Sequence, residues 1–164
     1  MSCVELKIVQ AEFPADCNVI VGQSHFIKSA EDLYEAMATS SPTVKFGVAF
    51  CEASGDCKIR YEGNDKDLID IAIKNAGNIA CGHTFFIVMR NVFPINVLDR
   101  VKAVQEVCHV FAATANPLQI IVAETEQGRG ILGVVDGFKP VGVEDEKDIA
   151  ARRSLLSEII GYKR

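Results

Sequence analysis

The 164 residues, 49% hydrophobic and 24% charged, have the balance of one ordinary globular domain able to bury its own core, which excludes a disordered chain, a collagen-like repeat and a coiled coil. Lys and Arg number 17 against 22 Asp and Glu, a net charge of −5 and a pI of about 5.2, the wrong sign for a protein that lives on phosphate backbones or anionic membranes. The longest uncharged stretch, Val107 to Ala123, is broken by His109, Asn116, Pro117 and Gln119 and falls short of the roughly 20 apolar residues that span a bilayer, so a soluble protein with no nucleic-acid or membrane partner is expected.

In chain order, Met1 to Lys7 alternate polar and apolar side chains without a basic region or an apolar core, the pattern of a cytoplasmic protein rather than an exported one. The six cysteines, Cys3, Cys17, Cys51, Cys57, Cys81 and Cys108, then read as thiols of a reducing compartment. No C-x-x-C occurs, and Cys51 and Cys57 suit facing strands of a hairpin better than a zinc site, so no metal site is expected. Val4 to Phe13 and Asn18 to Val21 read as strands, and Ser29 is placed to cap a helix whose apolar face is Ala30, Leu33, Tyr34 and Met37. Val44 to Ala53 and Cys57 to Glu62 form a predicted hairpin about Ser54-Gly55-Asp56, both strands inside the sheet. Asn64 is the expected cap of a second helix that buries Leu68, Ile69, Ala72, Ile73 and Ala76.

Thr84 to Arg90 has the continuous apolar pattern of a central strand. A third helix starts at Pro94 with Val97, Leu98 and Val101 inward. Val107 to Thr114, Leu118 to Glu124 and Ile131 to Val135 read as strands, and Asp145 to Ile160 as an amphipathic helix stopped by Gly161. The alternation of strands and helices points to an α/β domain.

The common phosphate and hydrolase motifs are absent: there is no G-x-x-x-x-G-K-[ST], G-x-G-x-x-G, G-x-S-x-G or H-E-x-x-H. What remains is a set of polar residues at predicted strand ends. His83 sits between Gly82 and the apolar strand, and a neutral imidazole is a competent nucleophile toward phosphorus; the plainer reading is a core histidine bonded to a carbonyl. His25, two residues after Gln23, is the same kind of case, and His109, inside a predicted strand, is read as structural. Glu52, at the end of an apolar strand, is a candidate general base or a solvated hairpin residue. In Glu124-Thr125-Glu126-Gln127-Gly128-Arg129-Gly130, two carboxylates, an amide and an arginine offer an anion-binding rim. The alternative is a hairpin turn whose glycines supply positive φ. Asp136 and Asn64 read as turn and cap residues.

Six blocks in order carry a resemblance: Val21-Gly22-Gln23-Ser24-His25-Phe26-Ile27-Lys28, Lys45 to Gly55, Gly82-His83-Thr84-Phe85, Phe93 to Leu98, Thr114-Ala115-Asn116-Pro117 and Val122 to Gly130. Together they resemble the adenosine-specific kinase family, once a domain of unknown function, from about Asn18 to Tyr162. The resemblance implies a single three-layer α/β/α domain, here expected over residues 1–164 with a mixed β-sheet. It also implies homo-oligomers, binding of adenosine or AMP, and a histidine that holds a phosphoryl group. Among residues in the matching blocks, His83 is the first choice for the phosphohistidine because Gly82 leaves room for the transferred group, and His25 is the second. Glu52 or Glu124 would accept the proton of the adenosine hydroxyl, Arg129 with glycine N–H groups would neutralise phosphoryl oxygens, and Gln23 and Asn116 are further substrate-binding candidates. Ala80-Cys81 before Gly82 departs from the smaller residues the family leads one to expect. The phosphoryl donor is left open, with ATP and Mg2+ as candidates. The competing expectation is a non-enzymatic module that binds or senses adenosine or AMP.

Overall fold

A computed structural model describes residues 3–162. Five antiparallel strands in the order β4-β3-β5-β2-β6 form the larger sheet. They are β2 (Asn18–Ser24), β3 (Lys45–Cys51), β4 (Ile59–Gly63), β5 (Thr84–Arg90) and β6 (Val107–Thr114). A second antiparallel sheet has the order β1-β7-β8, from β1 (Glu5–Gln10), β7 (Leu118–Glu124) and β8 (Arg129–Asp136). The helices are α1 (Ser29–Ala38), α2 (Lys66–Ile79), α3 (Pro94–Ala103) and α4 (Glu146–Ser154), the last running into a π turn at Leu155–Ile159.

The α/β class expected from the sequence is what forms, with helices on both faces of the larger sheet. The pairing is antiparallel, where a mixed sheet was expected. β2 and β3, joined through α1, do run the same way, but β5 inserts between them and turns both contacts antiparallel. The one parallel contact among the described residues is an isolated bridge between Cys81 and Arg129 that ties the two sheets together.

Strand alternation divides the core into two clusters. Ile20, Phe46, Val48, Phe50, Phe85, Ile87 and Met89 face α1 and α3, meeting Leu33, Met37, Val97 and Val101. Val19, Val21, Ala49, Phe86 and Val88 face the other way, onto α2 through Leu68, Ala72 and Ala76 and onto the small sheet through Leu118, Ile120 and Val122. The third layer is thus half helix and half sheet. α2 lies so close to β3 that a Cβ added to Gly47 would stand 2.4 Å from the Leu68 and Ile69 backbone.

Several local expectations are corrected. Asp65, not Asn64, caps α2 by accepting from Leu68 N–H at 3.2 Å. Asn64 instead clamps the start of β3, accepting from Phe46 N–H at 3.0 Å and donating to Val44 O at 2.9 Å. Ser29 lies inside the first turn of α1, its hydroxyl donating to Phe26 O at 2.6 Å. β4 is an edge strand. β8 begins at Arg129, so Arg129 and Gly130 are strand, and neither Gly128 nor Gly130 has a positive φ. The turn is closed by Thr125 N–H on Gly128 O at 2.8 Å. The predicted C-terminal helix is capped by Asp145 as α4, yet none of its residues is buried. No helix among the described residues is long and apolar enough to cross a membrane.

Candidate functional site

Antiparallel order brings the ends of β2 and β3 and the starts of β4, β5 and β6 to one end of the larger sheet. His83 occupies the turn into β5 with φ of 63°, a left-handed backbone that costs a residue with a Cβ about 1–2 kcal/mol and is held only where neighbours enforce it. Here two strands enforce it. His83 N–H donates to Cys51 O at 2.7 Å, and His83 O accepts from Ser24 N–H at 3.0 Å. The half-buried imidazole stacks on Phe50, ring centroids 5.8 Å apart and planes inclined by 22°. Gly82 is exposed and stands close to Ala53, where an added Cβ would meet Ala53 Cβ at 3.0 Å. His25 follows Ser24 in the link to α1, exposed, with its N–H on Glu106 O at 3.0 Å and its ring stacked on Phe26. The two candidate histidines therefore share one end of the sheet.

Glu52 follows the carbonyl that holds His83. Its Oε2 accepts from Lys58 N–H and from Arg60 Nη2, each at 3.0 Å. The Lys58 N–H first, and then Arg60, hold its carboxyl below the ordinary carboxylate value. Glu52 also reaches a pocket of about 760 Å³, lined with Gly82, Cys81, Thr125, Gln127 and Arg129 between the last turn of α2 and the β7–β8 turn. That volume suits a nucleoside-sized ligand. Arg129 is committed there, its Nε bonded to Glu124 Oε2 at 3.1 Å and its Nη1 to Asn78 O at 3.2 Å. Glu124 is paired with both Lys7 and Arg129, and Lys7 first among them keeps its carboxyl low. Burial pushes the Cys51 and Cys81 thiols on the pocket wall up to about 11, so both are protonated at neutral pH.

Glu52, Gly82 and Arg129 thus meet at one pocket. The His83 ring instead lies on Phe50, a side chain of the α1 and α3 face, while Arg129 belongs to the side of α2 and the small sheet. Gln23 Oε1 is engaged with His109 Nε2 at 3.2 Å. Asn116 stands at another corner, donating to Asp136 Oδ1 at 3.1 Å beside Thr114, which donates to the same oxygen at 2.7 Å. Asp136 is the last residue of β8, paired with Leu118, rather than the turn residue the sequence suggests. Glu106 and Ser24, both buried at the histidine end, escape the sequence reading, since a lone Glu or Ser beside apolar residues carries no signal of its depth.

The adenosine specific kinase family model matches residues 9–163. The chain belongs to that family. Among solved structures, the PH1918 protein from Pyrococcus horikoshii OT3 is 43% identical over 99% of each chain, with a TM-score of 0.93. No curated protein matches the sequence.

Proposed function

We propose that the protein is an adenosine-specific kinase that passes a phosphoryl group through His83. The observation that carries this reading is the His83 turn, a strained backbone clamped between Cys51 O and Ser24 N–H at the confluence of three strand ends. Strain kept in place by its surroundings is characteristic of sites rather than of core filling. An unprotonated ring nitrogen attacks the terminal phosphorus of the donor; the N–P bond forms as the P–O bond to the leaving group breaks, and with ATP as donor ADP departs. The adenosine hydroxyl then attacks the same phosphorus, the N–P bond breaks, AMP forms and the hydroxyl proton passes to Glu52 or to water. Glu52 is a weak base because its two donors stabilise the anion, so positioning and charge neutralisation carry most of the rate. The 760 Å³ pocket receives adenosine or AMP, with Arg129 and the neighbouring glycine N–H groups toward its anionic end. Mg2+ enters this reading as companion of the donor phosphates. In this reading the chain works in the cytoplasm, as one domain, in homo-oligomers.

One observation favours a second reading, binding or sensing of adenosine or AMP without turnover. Arg129 is spent on Glu124 and Asn78 O and lies across the sheet from the His83 ring. Intact mass at neutral pH, before and after incubation with ATP and adenosine, separates the two. Kinase action gives a phosphoryl adduct that His83→Ala abolishes, together with AMP. An adduct that survives His83→Ala and is lost in His25→Ala moves the nucleophile. An unmodified chain that binds adenosine without forming AMP leaves the binding module.

A further inference from the structure

After β8 the chain runs into an arm that covers nothing of its own. No residue from 138 to 162 is buried, and α4 packs chiefly on the π turn that follows it. In the link between β8 and α4, Phe138, Val141 and Val143 are 88%, 106% and 97% exposed. Apolar side chains scattered singly over a surface are ordinary; three in one short link, bare to this degree, lack the burial that offsets the entropy of ordering them. Both ends of the arm are nevertheless fixed. Gly137 N–H donates to Pro117 O at 2.9 Å, and Ile160 and Tyr162 share a cleft of about 340 Å³ with Asn18, Pro94 and Ala113. Tied at both ends, the link touches no apolar face of its own chain.

A matching face is bare on the same molecule. Leu6 pairs with Ala123 and Ile8 with Ile121, while Ile120 and Val122 between them enter the core. Strand alternation therefore puts Leu6, Ile8, Ile121 and Ala123 on the outer side of the small sheet, and by the same registers no charged residue lies on that side. Leu132 of β8 is exposed there too. Together Leu6, Ile8, Leu132, Phe138, Val141 and Val143 bare roughly 800 Å² of apolar surface, the area that each partner contributes to a stable interface. Charge agrees with this match. Lys139 is the one charged residue of the link, and Glu126 stands on the β7–β8 turn at the Leu6 end of the sheet. Neither has an ion-pair partner among the described residues.

We propose that the link 138–143 of one copy lies on the outer face of the small sheet of a second copy, with Phe138, Val141 and Val143 against Leu6, Ile8 and Leu132, and Lys139 beside Glu126. Every chain carries both halves, so each copy gives a link and receives one. The inference rests on the self-association proposed above and names the parts that make it.

Sedimentation velocity of the parent and of Val141→Asp/Val143→Asp tests it. Neither residue is packed within its own chain, so the circular dichroism of the variant is expected to match that of the parent. The parent is expected as an assembly and the variant at the coefficient of a single chain. An assembled parent whose variant sediments at the parent coefficient overturns the docking of the link and leaves self-association standing, whereas a parent that sediments as a single chain overturns both. A photoreactive benzoylphenylalanine in place of Phe138 reads the contact directly. Its crosslink is expected to give twice the single-chain mass under denaturing conditions and to join residue 138 to a peptide of β1, β7 or β8. Crosslinks that leave the single-chain mass unchanged, or that fall on other elements, overturn the proposal.

Discussion

Glu52 shows how a side chain offered as a base is shaped by its partners. The Lys58 N–H and Arg60 stabilise the carboxylate, so its folded value lies below the ordinary 4.5. A group of this sign contributes stability above its unfolded value and loses it as pH falls through the folded value. Arg60→Ala removes one of the two donors. Its Tm is expected to fall less steeply than that of the parent as the solution is acidified below 4.5, and the carbon-13 titration of the Glu52 carboxyl is expected to move up toward that ordinary value. Superimposable titrations would show that Arg60 does not hold the anion. The residue types at this site were legible in the sequence because His83, His25, Glu52 and Arg129 stand beside glycines or at the ends of apolar runs. Their partners were not. Nothing in Lys58-Ile59-Arg60 says that both polar groups turn back onto Glu52, and nothing in Gln105-Glu106-Val107 says that this carboxylate is buried.

For the elements, type was far more legible than boundary or partner. β5, β6 and β7 begin and end where their apolar and β-branched runs do; β5, covered on both faces, is a continuous apolar stretch, whereas the edge strand β6 has exposed residues and β7 alternates buried and half-buried ones. β2 runs three residues beyond Val21, since Gln23 and Ser24 find backbone partners on β5 and β6 that no local pattern announces. Asn64 and Asp65 are both good caps, and tertiary demand decided between them: the clamp on Phe46 and Val44 took Asn64 and left Asp65 to the helix. The same close approach of α2 to β3 makes Gly47 sensitive. Gly47→Ala forces a methyl into backbone 2.4 Å away, and overpacking of this kind costs about 1–3 kcal/mol. Urea unfolding is expected to show a lowered midpoint with an unchanged slope; an unaltered midpoint would mean that α2 slides away without cost.

At the level of the whole molecule, the alternation of helices and strands announced the class, and it could not announce the pairing. A helix between β2 and β3 reads as a parallel crossover, and only the position of β5, more than thirty residues on, makes the sheet antiparallel. The proposed self-association has its best surface on the outer face of the small sheet, where Leu6 and Ile8 are each 66% exposed and Leu132 63%. Bare apolar faces of this kind mark association sites. Replacing both Leu6 and Ile8 with Lys is expected to lower the sedimentation coefficient to that of a single chain, and an unchanged coefficient would place the contact elsewhere. The small sheet also sets the order in which the chain is completed on the ribosome. β1 has one strand partner, β7, with Glu5 opposite Glu124. At roughly 5–20 residues per second, the first strand waits on the order of ten seconds for that partner to be made. Through this interval Leu6, Ile8 and Val9 have no sheet to join, which leaves the apolar side chains of β1 uncovered until β7 is made and makes the small sheet the last layer to close.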